Sequence, residues 1–139
     1  MKKYLNFSLI YAIAAMVTGV FYREFTKWNG YTGVTTLGKV HVHLFLLGMM
    51  VYLMIALFAT HQETQKYKTF RIFLWVYNIG LPLTAVMMVV RGVTQVLSIS
   101  LSSAANASIS GIAGIGHILT GTGIVLLLVS LRKMAESNR

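Results

Sequence analysis

Residues 40–60 read VHVHLFLLGMMVYLMIALFAT, an apolar run whose first turn carries two histidines, His41 and His43. The run matches the roughly 20 residues a helix needs to cross the hydrocarbon core of a bilayer. On such a helix, residues two positions apart point about 200° away from each other. The two imidazoles therefore address different neighbours and do not form one chelating face. Histidine inside a span is costly and marks a functional site by default, and neutral imidazole is the commonest metal ligand. The pattern predicts a helix shared between two cofactor pockets.

Three further runs have the same character, at residues 6–22, 72–90 and 111–131. With 56% hydrophobic and 11% charged residues, the chain departs from soluble domains, in which about a quarter of the residues are charged. The expected architecture is all-α: one transmembrane domain over residues 1–139, built from four spans. The first run follows Lys2 and Lys3 and resembles a signal peptide. Its small-residue triplet Ala12-Ile13-Ala14 lies in mid-run and not beyond the apolar core, so an uncleaved first span is expected. The absence of cysteine excludes disulfides, thiolate ligands, iron–sulfur clusters and thioether-attached haem.

The loops give the topology. Lys2 and Lys3 precede span one, Lys66, Lys68 and Arg71 lie between spans two and three, and Arg132, Lys133 and Arg139 follow span four. By the positive-inside rule both termini and the middle loop are cytoplasmic, in a bacterial cytoplasmic membrane. Connections 23–39 and 91–110 then face outward. The net charge of +9 is mostly an orientation signal, and no nucleic-acid partner is expected. Residues 98–110, rich in Ser, Ala and Asn, read as a loop or a frayed continuation of span three. His61, at the inner end of span two, reads as a solvated interfacial residue.

The outer side carries the anomaly. Arg23, Lys39 and Arg91 flank the outer ends of spans one to three, while His41 and His43 lie about one turn, and His117 about two turns, inside the membrane. Each cation alone suits ordinary snorkelling, and each histidine alone suits a hydrogen bond to a neighbouring helix. A haem accounts for all six, with imidazoles on the iron and the cations at the propionates. Gly111, Gly114, His117 and Gly121 recur at helical spacing in span four, and Gly48 lies two turns below His41. These glycines suit either a flat macrocycle or close helix packing; packing is the expectation in span four, and Gly48 is open between the two. Met49, Met50, Met87 and Met88 offer axial or copper thioethers, although paired methionines in apolar helices are usually filler. Pro82, after Gly80, is expected to kink span three.

What is missing narrows the field. The three acidic residues, Glu24, Glu63 and Glu136, all lie outside the spans, which weakens a proton-coupled exporter. No catalytic residue set, phosphate-binding loop or HExxH motif is present. Besides a haem protein, a non-catalytic structural or accessory protein and a small transporter or copper-handling protein stay open.

The run His41-Val-His43-Leu-Phe-Leu-Leu-Gly48 resembles the tenth span of the haem–copper oxidase catalytic subunit. There an HxH gives one histidine to the low-spin haem and the other to the active-site haem. That subunit arranges twelve spans as three pseudo-equivalent four-helix arcs, with the haem-binding histidine on the second span of an arc. This chain looks like one such arc, and like a small uncharacterised family of four-span bacterial proteins. The resemblance implies a homotrimer imitating the twelve-helix core, with His41 of one chain and His43 of the next on one non-covalent haem b. His117 is then a competing axial ligand or a pocket donor, and quinone or an external redox protein a partner. Span three lacks the paired histidines that help bind copper in the oxidase, and no tyrosine corresponds to its cross-linked one. Electron transfer or haem binding is therefore expected, without copper and without oxygen reduction.

Overall fold

The computed structural model describes residues 1–59 and 64–137; Thr60, His61, Glu63 and Arg139 lie outside the described residues. Four long helices account for nearly all of it: α1 (Lys2–Trp28), α2 (Leu37–Phe58), α3 (Lys68–Val96) and α4 (Ser103–Ser137). A single 3-10 turn, Thr64–Lys66, leads into α3. All four helices are long and apolar enough to cross a membrane. Each starts before the apolar run that announced it, and all but α2 also run past its far end, because hydropathy marks only the lipid-embedded part while helix propagation continues through the polar flanks. α3 runs through Pro82, the expected kink, as one helical segment.

Residues 98–110 are mostly neither loop nor continuation of α3. Ser98 adopts φ 52°, and the Ser98 and Ile99 amides donate back to the Gln95 and Thr94 carbonyls, a Schellman closure that ends α3. α4 then starts at Ser103, where the Ser102 hydroxyl accepts from the Ala105 amide as an N-cap.

The helices pack in chain order: α1 on α2, α2 on α3, and α3 most extensively on α4. α1 and α4 share no extended contact among the described residues, so the spans form an open row. Its core is aromatic. Tyr52, Tyr77, Phe70 and Phe73 are fully buried, with Tyr11 stacked on Tyr52 at 5.7 Å and Tyr52 edge-on to Tyr77 at 6.2 Å. Those rings join α1, α2 and α3.

Immediately after His43 the backbone of α2 widens into a π-helix, Leu44–Met50. Wide turns of this kind disturb the carbonyl ladder and recur at functional sites. Here the Tyr77 hydroxyl donates to the Leu47 carbonyl at 2.7 Å, and Ser8 donates to that of Met49 at 2.9 Å. Gly48 lies between them, and a Cβ there would stand 2.4 Å from the Tyr11 ring. Of the two uses open for Gly48, macrocycle or packing, the packing one is seen, since an aromatic side chain of α1 fills the space beside it.

Candidate functional site

The outer third of α2 is fastened to α3 by hydrogen bonds that fix the histidines in rotation and depth. Thr35 donates to the Gly92 carbonyl at 3.1 Å, and Thr36 donates to that of Met88 at 2.9 Å. The Thr36 amide donates to the Gln95 side-chain oxygen at 2.9 Å. Leu37 seats on Gly92, where a Cβ would come within 2.5 Å of it. On the other flank, α4 lies close against α3 through Gly80, Gly116 and Gly123. A Cβ on any of these would approach Thr120, Thr84 or Tyr77 to less than 3 Å. Small residues that let backbones approach are how helices associate without a hydrophobic driving force between them.

These two attachments leave a groove of about 510 Å³ between α2 and α4, floored by α3. His43, His117, Lys39, Arg91, Met87 and Met88 line it, with Gly114 opening its α4 side. That volume falls in the range of small-molecule and cofactor sites, about 300–1,000 Å³. The His43 and His117 rings face each other across the groove, with centroids 6.3 Å apart and planes at 83°. Each Nδ1 lies within hydrogen-bond distance of the carbonyl four residues earlier, Lys39 at 2.9 Å and Ala113 at 2.8 Å. Since a carbonyl can only accept, Nδ1 is the donor in both bonds, and Nε2 is the ring nitrogen left for a ligand.

The spacing is selective. Two imidazoles trans on one metal, each nitrogen about 2 Å from it, have ring centres about 6 Å apart, whereas tetrahedral coordination brings them to about 5 Å. Among the described residues no three of His, Asp and Glu come together to complete a tetrahedral set. At 6.3 Å the two rings are close enough that one metal between them would be held by His43 and His117.

The cations divide two to one. Lys39 lies one turn outward of His43 on the same face, and Arg91 rises from the groove floor. Arg91 uses three hydrogen bonds on α4, two to Asn106 and one to Ser110, which leaves two of a guanidinium's five donors. Arg23 does not join them. It is on α1, 82% exposed and 3.8 Å from Glu24, outside the groove because α1 packs on the opposite flank of α2.

His41 and His43 do point to different neighbours. His41 packs against Gly19 of α1, with its Nδ1 buried and unpartnered, and does not reach the groove. Gly111, Gly114 and Gly121 differ from the packing role expected of them, since a Cβ on any would meet nothing within 4 Å. The packing glycines of α4 are Gly116 and Gly123. Of the methionines, Met87 and Met88 reach the groove, Met49 packs on the core and Met50 is exposed. Sequence reasoning missed Thr35, Thr36, Gln95 and Gly92, which carry no chemistry but orient His43. The polar pair Thr35-Thr36 before an apolar run was the one available signal.

The fold and its four apolar helices define a multi-pass membrane protein whose conspicuous polar feature is a histidine pair. A family model described as Protein of unknown function (DUF2871) matches residues 1–134, and the chain belongs to that family. No curated protein and no solved structure matches it.

Proposed function

We propose that this protein is a membrane-bound b-type haem protein of the bacterial cytoplasmic membrane, in which His43 and His117 of one chain would hold the iron. The observation that carries the proposal is the pair itself: two imidazoles 6.3 Å apart, each tethered through Nδ1 to its own helix. Lys39 and the two spare donors of Arg91 are available to the propionates, and Gly114 leaves room beside His117. A haem supplies one-electron chemistry. With both axial positions filled, it serves electron transfer in preference to ligand activation. Quinone or an external redox protein is the proposed partner, and oxygen reduction is not proposed. Both termini are placed in the cytoplasm on the basis of Lys2, Lys3, Lys66, Lys68, Arg71, Arg132 and Lys133.

This assignment pairs histidines within a chain, where the oxidase resemblance suggested His41 of one chain with His43 of the next. The homotrimer remains part of the proposal on separate grounds. An open row leaves α1 and α4 without each other, and closed cyclic symmetry is the usual way identical subunits complete such an arrangement.

The test is the absorption spectrum of the purified protein. A sharp Soret band, with haem released by acid-acetone, is expected. His43→Ala and His117→Ala should each abolish the low-spin spectrum, and His41→Ala should preserve it. Loss with His41→Ala and retention with His117→Ala would instead support ligation between chains. Met87 and Met88 beside the histidines favour a second reading, a cuprous ion held linearly by the same imidazoles. Stoichiometric copper in a colourless protein would establish that reading and overturn the first.

A further inference from the structure

The opposite end of the molecule, where the termini lie, holds a second cavity unrelated to the histidines. It is a groove of about 440 Å³ between the first turns of α1 and α3, lined by Lys3, Phe7, Gln65, Arg71, Trp75 and Asn78 among others. Two helices contribute one cation each, and no acidic residue among those described lines it. Two ion pairs, Arg23–Glu24 and Arg132–Glu136, lie away from it. Phe7 lies beneath Lys3, whose Nζ is 6.0 Å from the ring centre. Gln65 donates to the Tyr4 hydroxyl at 2.6 Å, which closes the mouth of α1 against the turn before α3. Trp75 is 75% exposed about two turns into α3, the position and residue type of an interfacial aromatic belt.

Snorkelling explains cations that spread outward at separate helix ends. It does not explain two that border one concavity with amides on its wall and aromatic rings along its side. Such a site is positive at its rim, hydrogen-bonding below it and apolar beyond, in the order in which a phospholipid presents phosphate, glycerol ester and acyl chain. A zwitterionic headgroup would bring its own ammonium among Lys3 and Arg71, with no carboxylate among the described lining residues to receive it. We infer that this groove binds an anionic phospholipid, its phosphodiester between Lys3 and Arg71 and one chain against Phe7 and Trp75. Basic pockets between spans are the form such recognition takes, and each cation near the surface adds about fivefold in binding. Inorganic phosphate shares the headgroup chemistry but not the chain contact.

The two tryptophans make the site measurable. In a Trp28→Phe background, Trp75 is the one remaining indole. The full chain is reconstituted in vesicles of equimolar phosphatidylglycerol and phosphatidylcholine, with bromine on the acyl chains of one lipid or the other. Trp75 quenching should report phosphatidylglycerol enriched at least about fivefold over the bulk. Lys3→Gln with Arg71→Gln should abolish the enrichment, and Lys3→Arg with Arg71→Lys should keep it. Arg132→Gln with Lys133→Gln removes the same charge outside the groove and should leave it unchanged. Millimolar inorganic phosphate should not displace the lipid. Equal quenching by both lipids, enrichment that survives the Lys3/Arg71 neutralisation, or loss on adding phosphate would each overturn the inference. None of these outcomes depends on haem.

Discussion

The two faces of α4 contain the same residue types and do opposite things. Toward α3 it presents Gly116, Thr120 and Gly123, all buried, and the backbones approach so closely that Thr84 and Thr120 hydroxyls lie 3.4 Å apart. Roughly 150° around the same helix, Gly111, Gly114 and Gly121 border open space with His117 among them. Glycine in a helix interior costs up to about 1 kcal/mol relative to alanine. On the first face that cost is offset by packing. On the second no contact within the chain offsets it, and the clearance belongs to whatever occupies the groove or covers it. Glycine spacing alone therefore does not tell a packing seam from a binding wall.

The largest effect expected from this contrast is on the packed seam. A Cβ at Gly80 would stand 2.6 Å from the Thr120 backbone nitrogen and 2.7 Å from the Leu119 Cβ. Backbone cannot step aside as a side-chain tip can. Gly80→Ala should lower the unfolding free energy by about 1–3 kcal/mol, the usual range for overpacking, measured by denaturant titration in mixed micelles. An unchanged transition would mean that α3 and α4 slide freely, and the seam would lose its role in placing His117.

How far the sequence foretold this depends on what each residue reports. Helix positions and number were legible because apolar run length is a local property, and the opposed directions of His41 and His43 followed from helical rotation alone. The pairing of His43 with His117 was not legible. It depends on which flank of α2 is taken by α4, and nothing local to either segment carries that information. Gly48 stayed open between two uses for a related reason, since Tyr11, the ring that fills its space, is 37 residues away on another helix. The π-helix after His43 also left no sequence signal, and its carbonyls are satisfied by Tyr77 and Ser8 from two other helices. Residues 98–110 were misread because serine-rich composition resembles a loop, while the Ser102 cap and the Arg91 bonds to Asn106 and Ser110 hold a helix there.

The groove side sharpens the comparison with an intermediate effect. Gly114 lines the cavity with His43 and His117 and touches nothing with the position of a Cβ. Gly114→Leu should therefore fill the cavity without disturbing the α3–α4 seam. Haem content of the purified protein should fall several-fold. The unfolding free energy should stay within about 0.5 kcal/mol of the parent, as for substitutions that strain no contact. Full haem occupancy in this variant would place the cofactor elsewhere and return Gly114 to the lipid.

The smallest effect is expected at Gly121, two turns deeper than Gly114 on the same open stripe. It has no neighbour within 4 Å of a built Cβ, and it is not among the groove residues. Gly121→Ala meets no steric obstacle within the chain and restores helix propensity of up to about 1 kcal/mol. The expected outcome is a transition unchanged or slightly raised, with the haem spectrum as in the parent. The variant also tests the assembly, because a second copy packed on this stripe would approach as closely as α3 does on the other face. If Gly121→Ala loses as much stability as Gly80→Ala, and the loss grows on dilution, the stripe is a subunit seam. A loss independent of protein concentration would show that the chain itself closes over the stripe, and the two faces of α4 would no longer differ.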